Sequence, residues 1–188
     1  MVIIVNEWVF DGNHESTNAI LDFMKHIDFT DKEVMDIGCG SGILAIKASE
    51  LGAKHITALD FDSRAVDNTK ENLERNGITN ADVYWTDFME TDLKADIILA
   101  NLPKDSSVFC MPKIKESLND NGVLITSWGK DKTTNELFDG VKMQSHFKGI
   151  EYDVYILKKE KKLFRSSHWL TLTDVHSTSL LPPQSEHT

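Results

Sequence analysis

Two rhythms of apolar residues alternate along this chain. Ile20, Leu21, Phe23, Met24 and Ile27 line one face of a helix that Ser16 or Thr17 would cap. Residues 33–37 are expected as the first strand, in which Val34 to Ile37 is a short apolar run carrying one acid. A helix with Leu44, Ile46, Ala48 and Leu51 inward follows, then a strand over residues 55–60. Asp62 or Ser63 would cap the next helix, and Asn76-Gly77 would close it with a left-handed residue. Further strands are expected over 83–87, 95–100 and 123–128, with a helix from about 106 to 118 before Asn121-Gly122. A short helix is expected near 135–138, and the alternation over 152–158 suits an edge or antiparallel final strand. Strands and helices in turn predict an α/β fold: a doubly wound, seven-stranded, mostly parallel sheet with an antiparallel last strand.

Chemistry enters at the first strand-to-helix turn, Val34-Met35-Asp36-Ile37-Gly38-Cys39-Gly40-Ser41-Gly42. A turn with so few side chains lets backbone touch a nucleotide-like ligand. A dinucleotide fingerprint would place its third glycine at position 43, where this chain has Ile43. Here Gly38, Gly40 and Gly42 have the G-x-G-x-G spacing, which disfavours a nicotinamide oxidoreductase, and Asp36 stands two residues ahead. A carboxylate there would repel a pyrophosphate and suits a ligand with an ammonium or sulfonium group. The second strand ends in Asp60, about twenty residues on, where an acid accepts hydrogen bonds from ribose hydroxyls. The third ends in Asp87 with Phe88 behind it, and the fourth runs into Asn101-Leu102-Pro103.

This order of elements and acids resembles the class I S-adenosylmethionine-dependent methyltransferases, over roughly residues 10–158. The resemblance implies a Rossmann-like sheet, S-adenosylmethionine as cofactor and S-adenosylhomocysteine as product. It implies a cofactor site built from Asp36, Gly38, Cys39, Gly40, Gly42, Asp60, Phe61, Asp87, Phe88 and Asn101, with Asp87 taking the adenine amino group. Upstream, Phe10-Asp11-Gly12-Asn13-His14-Glu15-Ser16-Thr17 is similar to the F-G-T-G-x-H-x-T-T segment of bacterial ribosomal-protein lysine methyltransferases. In that family the segment closes over the methionine end of the cofactor. Gly12, His14, Ser16 and Thr17 keep its spacing, with one residue before Gly12 missing. The family also carries a separate N-terminal domain that docks the ribosomal protein. With about thirty residues ahead of the glycine loop, this chain is expected to lack it.

Asn101-Leu102-Pro103-Lys104 looks like a variant of the Asn-Pro-Pro-Tyr motif of methyltransferases acting on planar amino groups. There the Asn carbonyl and a backbone carbonyl hold the target nitrogen. Asn101 and Pro103 remain, while Lys104 replaces the aromatic residue that would stack on a flat target. A nitrogen acceptor on a protein or small molecule is therefore expected, with Asn101, Pro103 and His14 as the catalytic candidates. Alternatives are an oxygen acceptor, with His14 or His146 as base, an RNA base, or a nonenzymatic cofactor-binding subunit. Each residue also has a plainer reading. Asp36 could bond loop amides, Asp60 could cap the following helix, His14 could be a satisfied loop histidine, and Asn101 could end a strand in a turn.

Composition narrows the class further. The 188 residues suit one domain with a sizeable core, expected over 1–160, followed by a tail over 161–188 that is flexible or packed back. A net charge of −10 argues against a large nucleic-acid footprint, because each phosphate contact needs a Lys or Arg. Cys39 and Cys110 make no C-x-x-C pair, and the tail histidines His168, His176 and His187 are irregularly spaced, so no metal site is expected. The opening apolar run stops at Asn6-Glu7, too short for a signal peptide, and no run approaches a membrane span. A cytoplasmic enzyme is the resulting expectation.

Overall fold

The computed structural model describes residues 1–7, 9, 15–129, 141–148 and 152–159. Among these residues four helices, α1 (Glu15–Met24), α2 (Ile43–Glu50), α3 (Ser63–Arg75) and α4 (Lys104–Ser117), surround a single sheet. Its strands are β1 (Glu33–Ile37), β2 (His55–Asp60), β3 (Ala81–Trp85), β4 (Ala95–Ala100), β5 (Leu118–Gly129), β6 (Val141–Lys148) and β7 (Tyr152–Lys159). They lie in the order β3-β2-β1-β4-β5-β7-β6. β1 to β5 are parallel, and β7 is antiparallel to both of its neighbours. Among the described residues no helix is long and apolar enough to cross a membrane.

The period of two along each strand sorts side chains onto two faces. Val34, Ile56, Ala58, Ile97, Leu99 and Ile125 join Ile20, Met24, Leu44 and Ala48 from α1 and α2 in one buried cluster. Met35, Ile37, Leu59, Ile98 and Leu124 join Met111 and Ile114 of α4 in the other. The same parity places Asp36, Asp60, Asn101 and Ser127 on the first face, toward the C-terminal ends of parallel strands. Chain order reverses between β1 and β4, where Ile37 pairs with Ala100. A doubly wound sheet opens its ligand crevice at such a switch point.

Several expected boundaries shift. Ser16 and Thr17 lie inside the first turn of α1, and both are buried. Residues 81–85 form β3, and Asp87 instead caps a single 3-10 turn over Phe88–Glu90 by accepting the Met89 amide at 2.9 Å. β5 begins at Leu118, so Asn121, with φ of 63°, is a left-handed irregularity within a longer strand. The final strand is antiparallel as expected but is interior, because β6 takes the edge. Asp62 accepts the Arg64 amide at 2.9 Å as the α3 cap, and Gly77, at φ of 66°, stops that helix as its sequence predicts. The proposed helix near 135–138, the 10–14 segment with His14, the side chains of His146 and Trp128, and the 161–188 tail lie outside the described residues.

Candidate active site

Gly38, Gly40 and Gly42 all take left-handed conformations, with φ of 70°, 55° and 78°. The turn is therefore tight enough to bring bare backbone to the crevice, a course that side chains would oppose. Neighbouring elements hold it in place. The Gly38 and Cys39 amides donate to the Leu59 carbonyl at 2.8 and 3.0 Å. Asp60 accepts the Gly40 amide at 3.1 Å and the Asp62 amide at 2.9 Å, so its two oxygens fix the loop and the start of α3 together. From α3, the Thr69 hydroxyl donates to the Gly40 carbonyl at 2.9 Å and lies 3.3 Å from Cys39 Sγ. Asn72 donates to the Ser41 carbonyl at 2.9 Å.

Asp36 is buried beneath the loop and accepts the Ala45 amide at 3.1 Å, in the first turn of α2. Burial pushes its carboxyl up to about 7, against the pull of the Ala45 amide, and the nearby Asp60 charge adds to the rise. A carboxyl raised in the folded state favours folding while protonated and loses that advantage as pH climbs. Asp36→Asn should therefore remove a loss of stability that builds between about pH 4 and 7, worth a few kcal/mol. Urea unfolding of the ligand-free protein tests this. The variant should gain at about pH 8 and not at about pH 4, whereas a constant difference would contradict the buried carboxyl.

Asn101 follows β4 and is tied at both ends of its amide. Nδ2 donates to Thr17 Oγ1 of α1 at 2.9 Å, and Oδ1 accepts from Ser127 Oγ of β5 at 2.7 Å. The amide is thus fixed in rotation, and its carbonyl oxygen keeps a second lone pair. Leu102 packs on the loop, where a Cβ at Gly38 would meet its Cδ2 at 2.6 Å. Pro103 precedes α4, and its carbonyl accepts the Ser107 amide at 2.9 Å.

Asp36, the glycines, Cys39, Asp60 and Asn101 thus converge at the switch point. Phe61 stands beside them, 80% exposed, and its carbonyl accepts Trp85 Nε1 at 2.8 Å. Asp87 lies beyond β3 and is engaged with its own turn, while Phe88 is buried with Ile37, Leu59 and Met111. Burial pushes the Cys39 thiol up, so it is a packed loop residue and not a ready nucleophile. Thr69, Asn72 and Ser127 lie outside the predicted site, whereas Thr17 belongs to the segment whose spacing pointed to the cofactor. For Asn72 a signal existed, the run Asn68, Asn72, Asn76 at four-residue spacing.

The arrangement suits a positively charged nucleoside. Two carboxylates flank a backbone cradle, and the Ser41 hydroxyl is buried within it without a hydrogen-bond partner among the described residues. An unpaired buried hydroxyl costs stability that a ligand's polar group can restore.

Known proteins resemble this chain over the stretch that contains these elements. The family model for ribosomal protein L11 methyltransferase (PrmA) matches residues 11–151. The ribosomal protein L11 methyltransferase of Clostridium perfringens is 40% identical over 117 residues, 62% of this chain and 37% of that protein. The chain therefore spans well under half the length of such curated relatives. A solved ribosomal protein L11 methylase from Lactobacillus delbrueckii subsp. bulgaricus superposes with a TM-score of 0.74 at 26% identity, covering 80% of this chain and 82% of that one. A T. thermophilus 16S rRNA methyltransferase, solved with AdoMet and guanosine, shares the fold at a TM-score of 0.70 and 20% identity, covering 81% and 45%.

Proposed function

The chain belongs to the ribosomal protein L11 methyltransferase family, and from that premise we propose that it transfers a methyl group from S-adenosylmethionine to a nitrogen of a protein. The acceptor that the relatives' names supply is ribosomal protein L11, and a cytoplasmic setting goes with it. The observation that carries the reading is Asn101, its amide fixed by Thr17 and Ser127 beside the glycine turn.

When bound, S-adenosylmethionine supplies a sulfonium-activated methyl carbon, which an amine lone pair takes as the carbon–sulfur bond breaks. The chain's residues bind and aim. Backbone of Gly38 to Gly42 would hold the amino-acid end, and Asp60 would accept from the ribose hydroxyls with its remaining lone pairs. Where ionised, Asp36 would act on the sulfonium through the loop and not by contact, since it lies beneath the loop and accepts the Ala45 amide. The free lone pair of Asn101 Oδ1 would accept an N–H of the incoming amine and so turn the nitrogen's own lone pair toward the methyl group. Fixing that geometry is the main source of acceleration, since an activated methyl needs little further chemistry.

Mass spectrometry of ribosomal protein L11 after incubation with the protein and labelled S-adenosylmethionine tests the reading. Methyl label on lysine or the terminal amine is expected. An L11 that stays unlabelled would overturn this acceptor. Asp60→Ala should weaken S-adenosylhomocysteine binding by about 10- to 100-fold, the scale of hydrogen bonds to a charged group. Unchanged affinity in calorimetry would refute the ribose assignment.

A further inference from the structure

The first residues of the chain lie along α3 in an arrangement that none of the preceding chemistry uses. Asn76 pairs with Val2, accepting its amide at 2.7 Å and donating to its carbonyl at 2.6 Å. Asn72 repeats this with Ile4, at 2.9 and 2.7 Å. Asn68 accepts the Asn6 amide at 3.1 Å and donates to the Ile4 carbonyl at 2.9 Å. The spacing explains the fit. Residues four apart on a helix are about 6 Å apart along its axis, close to the two-residue step of an extended chain. Each side-chain amide offers one donor and one acceptor, as a neighbouring strand's backbone does. The rungs contact only backbone, and the side chains of Val2 and Ile4 face outward, 61% and 38% exposed.

The middle rung has a second attachment. Asn72 Nδ2 also donates to the Ser41 carbonyl, and the adjacent Thr69 holds Gly40 and Cys39. Asn68, Thr69 and Asn72 are fully buried between segment and loop. An Asn72 side chain that loses Ile4 loses the contacts that fix its rotamer, and the loop loses a brace.

We propose that the asparagine ladder of α3 is a binding site for an extended peptide backbone, filled by residues 2–6 of this chain, and that its occupancy holds the glycine loop in shape. The site reads backbone and not side chains, so the outward residues can vary while the amide pattern cannot. The link to the loop rests on geometry alone. Its effect on cofactor affinity rests in addition on the function proposed above.

The test uses the full chain with Cys110→Ser, so that Cys39 in the loop is the one thiol labelled. Cys39 is buried, and its alkylation rate reports how often the loop opens. Ile4→Pro removes the amide donated to Asn72 while tolerating an extended chain, and should raise that rate about tenfold. Ile4→Ala keeps the amide and should leave the rate within about twofold. Asn76→Ala, which cuts the outer rung without touching the loop, should raise the rate in the same direction as Ile4→Pro. Equal rates in all variants would overturn the coupling. Equal acceleration by Ile4→Ala and Ile4→Pro would overturn backbone reading in favour of side-chain packing. Saturating S-adenosylhomocysteine, which binds the closed loop, should slow Cys39 labelling in the parent chain and in Ile4→Pro alike. A parent chain that binds no S-adenosylhomocysteine overturns the cofactor reading, and the Cys39 rates still decide the coupling.

Discussion

Asn101→Ala is expected to lower the single-turnover methyl-transfer rate by about 10²- to 10³-fold, the scale of losing one aligned polar group at a reacting centre. S-adenosylhomocysteine affinity should stay within about threefold, because the loop, Asp60 and α3 hold the cofactor site without this side chain. The amide is anchored by Thr17 through Nδ2 and by Ser127 through Oδ1, which fixes the direction of the one lone pair left for an amine. Ser127→Ala keeps Asn101 but frees its carbonyl, so it should cost roughly tenfold in rate, the worth of a single positioning hydrogen bond. Turnover that survives Asn101→Ala would mean that the acceptor nitrogen is held elsewhere. A fall in cofactor affinity equal to the fall in rate would mean that the residue is structural.

The largest effect on folding should come from Gly42→Ala. This glycine has φ of 78°, and a Cβ there would lie 2.9 Å from Thr69 Cγ2 and 3.3 Å from Thr69 Cα. The methyl group can be relieved by turning Thr69, but that breaks its bonds to Gly40 and Cys39, and the backbone carbon cannot turn away. Strain and overpacking together should cost roughly 2–5 kcal/mol in urea unfolding. Gly77→Ala is the control, with φ of 66° and nothing within 4 Å of its Cβ. It should cost only the left-handed penalty, roughly 1–2 kcal/mol. Equal losses at the two positions would show that α3 does not press on the loop.

What the sequence revealed was local. The glycine register, the acid twenty residues later and the Asn after the fourth strand all sit at the C-terminal ends of parallel strands, and strand ends are marked by nearby residues. The partners that tune them are distant. Thr17 reaches Asn101 across 84 residues and Ser127 across 26, and no pattern near Asn101 announces either. Thr17 reads as a helix cap because hydroxyls favour that position, yet it is buried inside α1 because the Asn101 amide offers a partner. β6 carries Val141, Met143 and Phe147 in alternation but is broken by a register shift between Met143 and Ser145, which hid its period. The four-residue spacing of Asn68, Asn72 and Asn76 is visible in the sequence, but its use depends on a segment more than sixty residues upstream.

Calorimetric titration of the purified protein with S-adenosylhomocysteine, with NAD as the control ligand, tests the central claim most directly. Saturable one-to-one binding of S-adenosylhomocysteine and none of NAD is expected. Binding of NAD alone, or of neither ligand, would contradict it.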